Sequence, residues 1–285
     1  MGDATTLSAG LRFEHRNTDY NDSGGTNADP SESMWGGELS LARDLSDSVM
    51  SYIALSRGYK AGGFNLGLVP PDRRTFGDEI LWSLELGVKA ALADDRVRVN
   101  VAIFTSQRDE QQVRIPEQLN PNDPASFVFY TINDSAGGEM HGLEADLRWF
   151  ATDALEIYAS LGLLQSKLGA SGRDLAHAPR YSMAAGTIYR NANGFFARLD
   201  ATARDEFYFD VSHDQKSQAY ELLHARVGYE GDNWVAQLWV RNLTDKDYAV
   251  RGFYFGNEPP DFPATLYTRL GDSRQLGITL ERRFN

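Results

Sequence analysis

The feature that most constrains this chain is an alternation of period two, repeated from one end of the sequence to the other. Leu276, Ile278, Leu280 and Phe284 interleave with Gln275, Gly277, Thr279 and Glu281. Leu143, Ala145, Leu147 and Trp149 interleave with Glu144, Asp146 and Arg148, and Leu155, Ile157, Ala159, Leu161 and Leu163 with Glu156, Tyr158, Ser160 and Gly162. Period two places successive side chains on opposite faces of a strand, one face apolar and the other polar. The gaps between these segments also alternate, very short with long. Many long, half-apolar strands joined in that rhythm form the pattern of an all-β, antiparallel, transmembrane up-and-down β-barrel.

Composition is consistent with this reading and removes others. No stretch approaches the roughly 18–20 continuous apolar residues of a membrane helix. The mean hydropathy of -0.43 does not argue for solubility, because only alternate strand residues of a barrel meet lipid and its loops are polar. The 15 Phe, 13 Tyr and 5 Trp are enough for aromatic girdles at two interfaces. Cysteine is absent, which excludes disulfides, Fe–S clusters and Cys-ligated zinc; no cofactor or metal is expected. A net charge of -12 argues against a nucleic-acid partner, whose phosphates demand a basic face. Segment 17–33 carries Asp19, Asp22, Asp29 and Glu32 with no Lys or Arg. It reads as a solvated acidic loop in preference to a cation-collecting vestibule.

Twelve strands are expected, near 4–16, 34–43, 49–60, 80–92, 97–113, 127–150, 154–166, 179–190, 194–206, 216–229, 233–242 and 272–284, with a bulge around Gly137-Gly138. The short connections, Asp44–Ser48, Ala93–Arg96, Thr152-Asp153, Asn191–Gly194 and Gly231-Asp232, carry the Asn, Asp and Gly that tight turns need. Some faces are plain. Ala197, Leu199, Ala201 and Ala203 would face lipid, with Arg198, Asp200, Thr202 and Arg204 inward; Trp234, Ala236, Leu238 and Val240 would face lipid, with Gln237 and Arg241 inward. Charges on an inner face are costly in a dry core but not in a wet lumen, so a wide barrel is preferred to a soluble sandwich. Segments 49–60 and 179–190 do not declare a face.

Longer matches add what periodicity cannot. Tyr52–Asn65 reads YIALSRGYKAGGFN, 84–92 reads LELGVKAAL, Gly142-Leu143-Glu144 follows the glycine pair, Ala178-Pro179-Arg180 opens a strand, and 242–248 reads NLTDKDY. In this order they resemble the barrel motifs of TonB-dependent outer-membrane receptors. The resemblance implies a plugged barrel of about twenty-two strands, of which residues 1–285 supply the C-terminal part. Nothing in the sequence resembles the plug domain, the TonB-contacting box or the earlier strands, and MGDATTLSAG is not a signal peptide. The chain is therefore expected to be a truncated piece. By resemblance the short turns lie in the periplasm and the long loops outside the cell, in a Gram-negative outer membrane. The implied partners are membrane lipid, TonB through the missing plug, and the barrel-assembly machinery through the last strand. That strand departs from the family pattern in ending one residue beyond Phe284, at Asn285. The implied function is TonB-energised uptake of a large scarce nutrient, an iron–siderophore complex first among them. The alternative is a stand-alone twelve-strand passive pore or structural barrel.

Catalysis is not expected. His15, His141, His177, His213 and His224 are scattered, and no metalloprotease, nucleophile-elbow or phosphate-loop motif is present. Gly62-Gly63 and Gly137-Gly138 lie outside any strand–loop–helix context and read as turn or bulge. The candidate ligand contacts are loop residues that mix aromatics with an acid and a histidine: Phe207, Tyr208, Phe209, Asp210 and His213, and Phe253, Tyr254 and Phe255. Their rings suit stacking on a bulky ligand; packing the loops together, or belonging to the upper aromatic girdle, is the favoured reading of the same residues.

Overall fold

A computed structural model of the chain describes residues 4–67, 69–120, 123 and 126–284. Twelve strands form one antiparallel sheet in which every strand pairs with its sequence neighbours. They are β1 (Thr5–Asn17), β2 (Ser31–Ser46), β3 (Val49–Lys60), β4 (Glu79–Leu92), β5 (Val97–Asp109), β6 (Gly138–Phe150), β7 (Leu155–Leu168), β8 (Tyr181–Arg190), β9 (Phe195–Arg204), β10 (Tyr220–Glu230), β11 (Trp234–Arg241) and β12 (Gln275–Arg282). Among the described residues no pairing joins β1 to β12, so this meander has two free edges. Among the described residues no helix is long and apolar enough to cross a membrane; the crossing elements are strands. Asn285 lies outside the described residues.

One face of the sheet is an unbroken apolar belt. The register joins Leu7, Leu41, Ile53, Leu86, Ile103, Leu143 and Leu163 in a single cross-strand row through β1–β7. Farther round, Leu199 opposes Ala225, Ala225 opposes Val240, and Val240 opposes Leu276. Leu7, Leu41, Ile53, Leu86, Ile103, Leu163, Leu199 and Leu276 are all exposed. In water such a patch would drive association; in a bilayer it is the lipid-facing band. Aromatic side chains flank it: Phe13, Trp35 and Trp82 toward the long-loop rim, Trp149, Phe195 and Trp234 toward the short-turn rim.

The opposite face is polar and cross-linked. Tyr52 donates to Glu85 at 2.6 Å and Arg148 to Glu156 at 2.7 Å. Arg198 grips the Asp200 carboxylate through two nitrogens, and the Tyr158 hydroxyl donates to that same carboxylate. Across five of the six seams closed by long loops, an aromatic ring lies over a glycine of the next strand. The pairs are Tyr52 on Gly87, Phe104 on Gly142, Tyr158 on Gly186, Phe196 on Gly228 and Trp239 on Gly277, and a Cβ at any of these glycines would come within 2.6 Å of its ring. This face settles the two segments whose orientation the sequence left open. On β3 and β8, Ile53, Leu55 and Met183 are exposed outward, while Tyr52 and Gly186 point inward among the pairs just described.

The expected strands correspond to the wall with four larger differences, one of them at the tenth, which was drawn from 216 whereas β10 begins at Tyr220 and Lys216 ends the loop strand His213–Lys216. The fifth and sixth were drawn too long, to 113 and from 127, because the chain leaves the wall at Glu110 (φ 52°) and re-enters through Gly137 (φ 63°). Between these points Gln111–Gln118 and Phe127–Asp134 pair as a separate hairpin. The expected bulge at Gly137-Gly138 is thus the re-entry bend, where Gly137 N–H donates to the Asp134 carbonyl at 3.0 Å. The second strand was drawn too short: β2 runs on to Ser46, and the turn is Asp47-Ser48. Turn chemistry is otherwise as expected. The Thr152 hydroxyl caps Ala154 and Leu155 N–H groups at 3.2 and 3.0 Å, and Ala93, Asp94 and Asp95 take left-handed φ.

Candidate functional site

Five of the six long loops carry short strands of their own, and the chain's buried apolar side chains concentrate there. Tyr130, Val69, Leu175, Phe207 and Phe209 are all buried in these loops. The loops gather into two clusters. In the first, loops 61–78 and 110–137 are sewn together by amide side chains. Asn65 donates to the carbonyls of Arg73 and Thr131, both at 2.8 Å, and accepts from Thr131 N–H at 2.7 Å. Asn133 accepts from Gly77 N–H at 2.6 Å and donates to the carbonyls of Gly77 and Glu110 at 3.1 and 2.9 Å. Gln112 reaches the carbonyls of Ala61 and Gly77 at 2.8 and 3.0 Å. Loop 18–30 leans on this cluster through the Tyr20 and Phe64 rings, 4.5 Å apart. Its Asp22 accepts Gly24 and Thr26 N–H groups at 2.9 and 3.0 Å, and Glu32, at the start of β2, pairs with Arg16 at 3.1 Å. The bond from Thr26, foremost, holds the Asp22 carboxyl below its ordinary range.

The second cluster unites loops 169–180, 205–219 and 242–274 around one guanidinium. Arg173 donates to the His213 carbonyl and the Asp210 carbonyl, each at 2.8 Å, and to the Asp214 carboxylate at 2.6 Å. Its guanidinium also lies 4.5 Å from the Tyr208 ring centroid, over which Lys216 stands at 4.4 Å. Lys216 donates to Glu206 at 2.8 Å; that bond lowers the Glu206 pKa and raises the Lys216 pKa. The Phe207 and Phe209 rings meet edge to face at 5.8 Å, His177 stands 5.1 Å from Phe207, and Gly252 leaves the space that Phe209 fills. At the root of the cluster the NLTDKDY segment is a clasp. Buried Asn242 donates to the carbonyls of Lys246 and Asp272 at 2.9 and 3.0 Å, ending β11 and pinning the approach to β12.

The eight candidate residues therefore share one cluster but not one environment. Phe207 and Phe209 are 4% and 3% exposed and pack the loops. Asp210 caps its own turn, accepting from Ser212 N–H at 3.0 Å and its hydroxyl at 2.8 Å. Tyr208 carries the two cations. Phe253, Tyr254 and Phe255 lie on the loop strand Ala249–Gly256 and are 45%, 40% and 48% exposed; the His213 ring stands 5.8 Å from Tyr254 and Phe255 meets Tyr267 at 5.3 Å. Sequence reasoning did not find Arg173 or Tyr267, and it met Asn65 only as the last residue of the YIALSRGYKAGGFN resemblance. Nothing local marks their roles: Asn65 and Arg173 reach partners 66 and 40 positions away, and Tyr267 meets Phe255 across a loop hairpin. No group of three or more metal-ligating side chains occurs among the described residues.

A twelve-stranded meander with an apolar outer belt, a polar inner face and elaborated loops on one rim is the wall of an outer-membrane β-barrel. The chain belongs to the TonB-dependent receptor family: the model described as "TonB dependent receptor-like, beta-barrel" matches residues 2–243. It is similar to BfrD, a probable TonB-dependent receptor of Bordetella pertussis, with 24% identity covering 70% of this chain and 26% of that protein. It is similar to PiuA of Acinetobacter baumannii, a probable TonB-dependent siderophore receptor, with 22% identity covering 69% of this chain and 27% of that one. The chain thus spans about a quarter of the length of these curated relatives. Among solved structures, the ferric yersiniabactin uptake receptor FyuA from Yersinia pestis aligns with a TM-score of 0.80 at 19% identity, over 99% of this chain and 43% of that one. The PiuA structure aligns with a TM-score of 0.76 at 18% identity, over 97% and 40%. The family is one of receptors, not enzymes, and its place is the Gram-negative outer membrane.

Proposed function

We propose that the chain is the C-terminal wall and loop set of a plugged receptor that imports a large scarce nutrient, an iron–siderophore complex first among them. TonB would supply the energy through a plug outside this chain, and the barrel-assembly machinery would engage β12 and Phe284. The observation that carries the ligand reading is the exposed run Phe253-Tyr254-Phe255 beside His213 on the long-loop rim. The neighbouring aromatics Phe207 and Phe209 are packed away, and a loop that leaves three adjacent rings in water offers a contact surface. The names of PiuA and FyuA, a siderophore receptor and a ferric yersiniabactin uptake receptor, favour a ferric chelate. The binding role then falls to Phe253, Tyr254, Phe255 and His213, with Tyr208 and Asp210 at their margin and Phe207 and Phe209 holding the loop beneath.

The test is uptake of radio-iron, presented as a panel of ferric siderophores, by cells expressing the complete gene that encodes this chain. The expected result is uptake of one chelate class only where TonB is functional, with the triple change of Phe253, Tyr254 and Phe255 to Ala weakening it at least tenfold. Uptake independent of TonB would leave a passive pore, and no uptake of any chelate would remove iron from the reading.

A further inference from the structure

We infer that the outward face of β2–β4 carries a binding site for the phosphate of an anionic lipid headgroup, with Arg57 as its donor and Trp35 and Trp82 as its walls. The register fixes the depth. Ala9, Leu39, Leu55 and Leu84 form one outward row of β1–β4, and Leu11, Gly37, Arg57 and Trp82 form the next row toward the long-loop rim. Continued onto β5–β7 that second row becomes Gln107, Glu139 and Lys167. Arg57 therefore stands where the apolar belt ends, at headgroup level.

Its side chain is held there. The guanidinium lies 4.1 Å from the Trp35 ring centroid and 5.8 Å from that of Trp82, and the two indoles meet edge to face at 5.9 Å. One of its N–H groups donates to the Trp35 carbonyl, and among the described residues no carboxylate forms an ion pair with it. A guanidinium has five N–H donors, and leaving them unpaired beside hydrocarbon is costly. Phosphate is the anion that a lipid places at this depth, and arginine's planar fork matches its oxygens. The opposite rim holds its outward arginine differently: Arg282 lies 5.2 Å from the Phe284 ring centroid. There Phe195, Tyr229 and Trp234 stack on one another at 5.0 and 5.1 Å, and no cation lies over them among the described residues.

The complete receptor, purified in detergent, tests this with brominated lipids as quenchers of indole fluorescence. Replacing by Phe the outward tryptophans of the other rim, Trp149 and Trp234, and every lipid-facing tryptophan outside residues 1–285 leaves Trp35 and Trp82 as the lipid-facing reporters. Brominated phosphatidylglycerol is expected to quench them at a mole fraction about fivefold lower than brominated phosphatidylcholine. Arg57→Gln should abolish that preference. Raising the salt to about 1 M, where the screening length shrinks to about 3 Å, should abolish it in the unmodified protein too, a readout that does not depend on the variant folding. Equal quenching by both lipids, a preference that survives Arg57→Gln, or one indifferent to salt would each overturn the inference.

Discussion

The two loop clusters are built from different chemistry. The first, of loops 61–78 and 110–137, is closed by Asn65, Gln112 and Asn133, whose amides trade hydrogen bonds with backbone N–H and carbonyl groups. The second, of loops 169–180, 205–219 and 242–274, is closed by the Arg173 guanidinium, two buried phenylalanines and the Lys216–Glu206 pair. Neutral amides fix a geometry and ignore charge. An ion pair answers to pH and salt, and aromatic packing answers to volume. The cluster that presents Phe253–Phe255 is thus the one held by adjustable contacts, whereas the other is a rigid shoulder beside it.

The sharpest way to break that contrast is through volume. Phe209 is 3% exposed and packs on Phe207 and on Gly252. Phe209→Ala should cost about 3 kcal/mol or more, felt as local opening. Amide exchange over 205–219 and 249–256 should accelerate about a hundredfold, with the Asn65 cluster unchanged. Equal acceleration in both would show one cooperative unit. Next in size is Asn65→Ala. It removes three bonds, two of which cross between the loops, and leaves the Thr131 N–H and carbonyl in the seam without those partners. About 2 kcal/mol is expected, read as lost protection of the Thr131 amide and faster proteolysis of loop 61–78, and the second cluster should not respond.

These contacts separate what the sequence could and could not say. The wall was legible because period two is a local signal: β3 occupies 49–60 as expected, and β4 begins at Glu79 against an expected 80. The overruns at Glu110 and Gly137 arose because the loop hairpin Gln111–Gln118 with Phe127–Asp134 alternates as a wall strand does, and a left-handed Glu110 has no sequence mark. The faces of β3 and β8 were silent because small residues sit on both sides of them, Ser51 and Ser56 on β3 and Ala184 and Ala185 on β8. At the candidate site the aromatic loops were visible, but Phe207 and Phe253 have similar neighbours in sequence and opposite burial in space. Only the packing of three loops distinguishes them. Asn65 and Arg173 act on residues 66 and 40 positions away, a separation at which no pattern survives. Asn242 was visible within NLTDKDY, though as a resemblance; its clasp on Lys246 and Asp272 supplies the physical reason.

A smaller effect should follow from Arg173→Lys, which keeps the charge and loses the fork. Lysine is a point charge and will not reach the carbonyls of His213 and Asp210 and the Asp214 carboxylate together. About 1 kcal/mol of coupling between loops 169–180 and 205–219 should be lost. A double-mutant cycle with Asp214→Asn would measure it: the two changes should be less than additive. Full additivity would mean that Arg173 serves each loop separately, and the account of the second cluster as a single unit would fail.

The smallest effect is the most diagnostic, because it depends on pH. Lys216 donates to Glu206 and holds that carboxyl below its ordinary value of 4.5. A folded-state pKa below the unfolded one contributes stability at pH values above the unfolded pKa, and that contribution fades as pH falls through the folded value. Lys216 has the opposite sign: its pKa is raised from 10.5 by the same bond, so its share is present at neutral pH and is lost on alkaline titration above that value. Both groups are partly exposed, so the pair is worth only a few tenths of a kcal/mol. The hairpin of Tyr208–Asp210 with His213–Lys216 should therefore loosen modestly below about pH 4 and again in strong alkali, read as exchange of the Ser217 amide, which donates to the Phe207 carbonyl at 2.9 Å. The side-chain partners of Asn65 are backbone groups that do not titrate, so the protection of the Thr131 amide, corrected for intrinsic exchange, should stay level over the same acid range. A seam that loosens in step with the hairpin would mean that the two clusters share one opening motion, and the division between shoulder and adjustable surface would have to be given up.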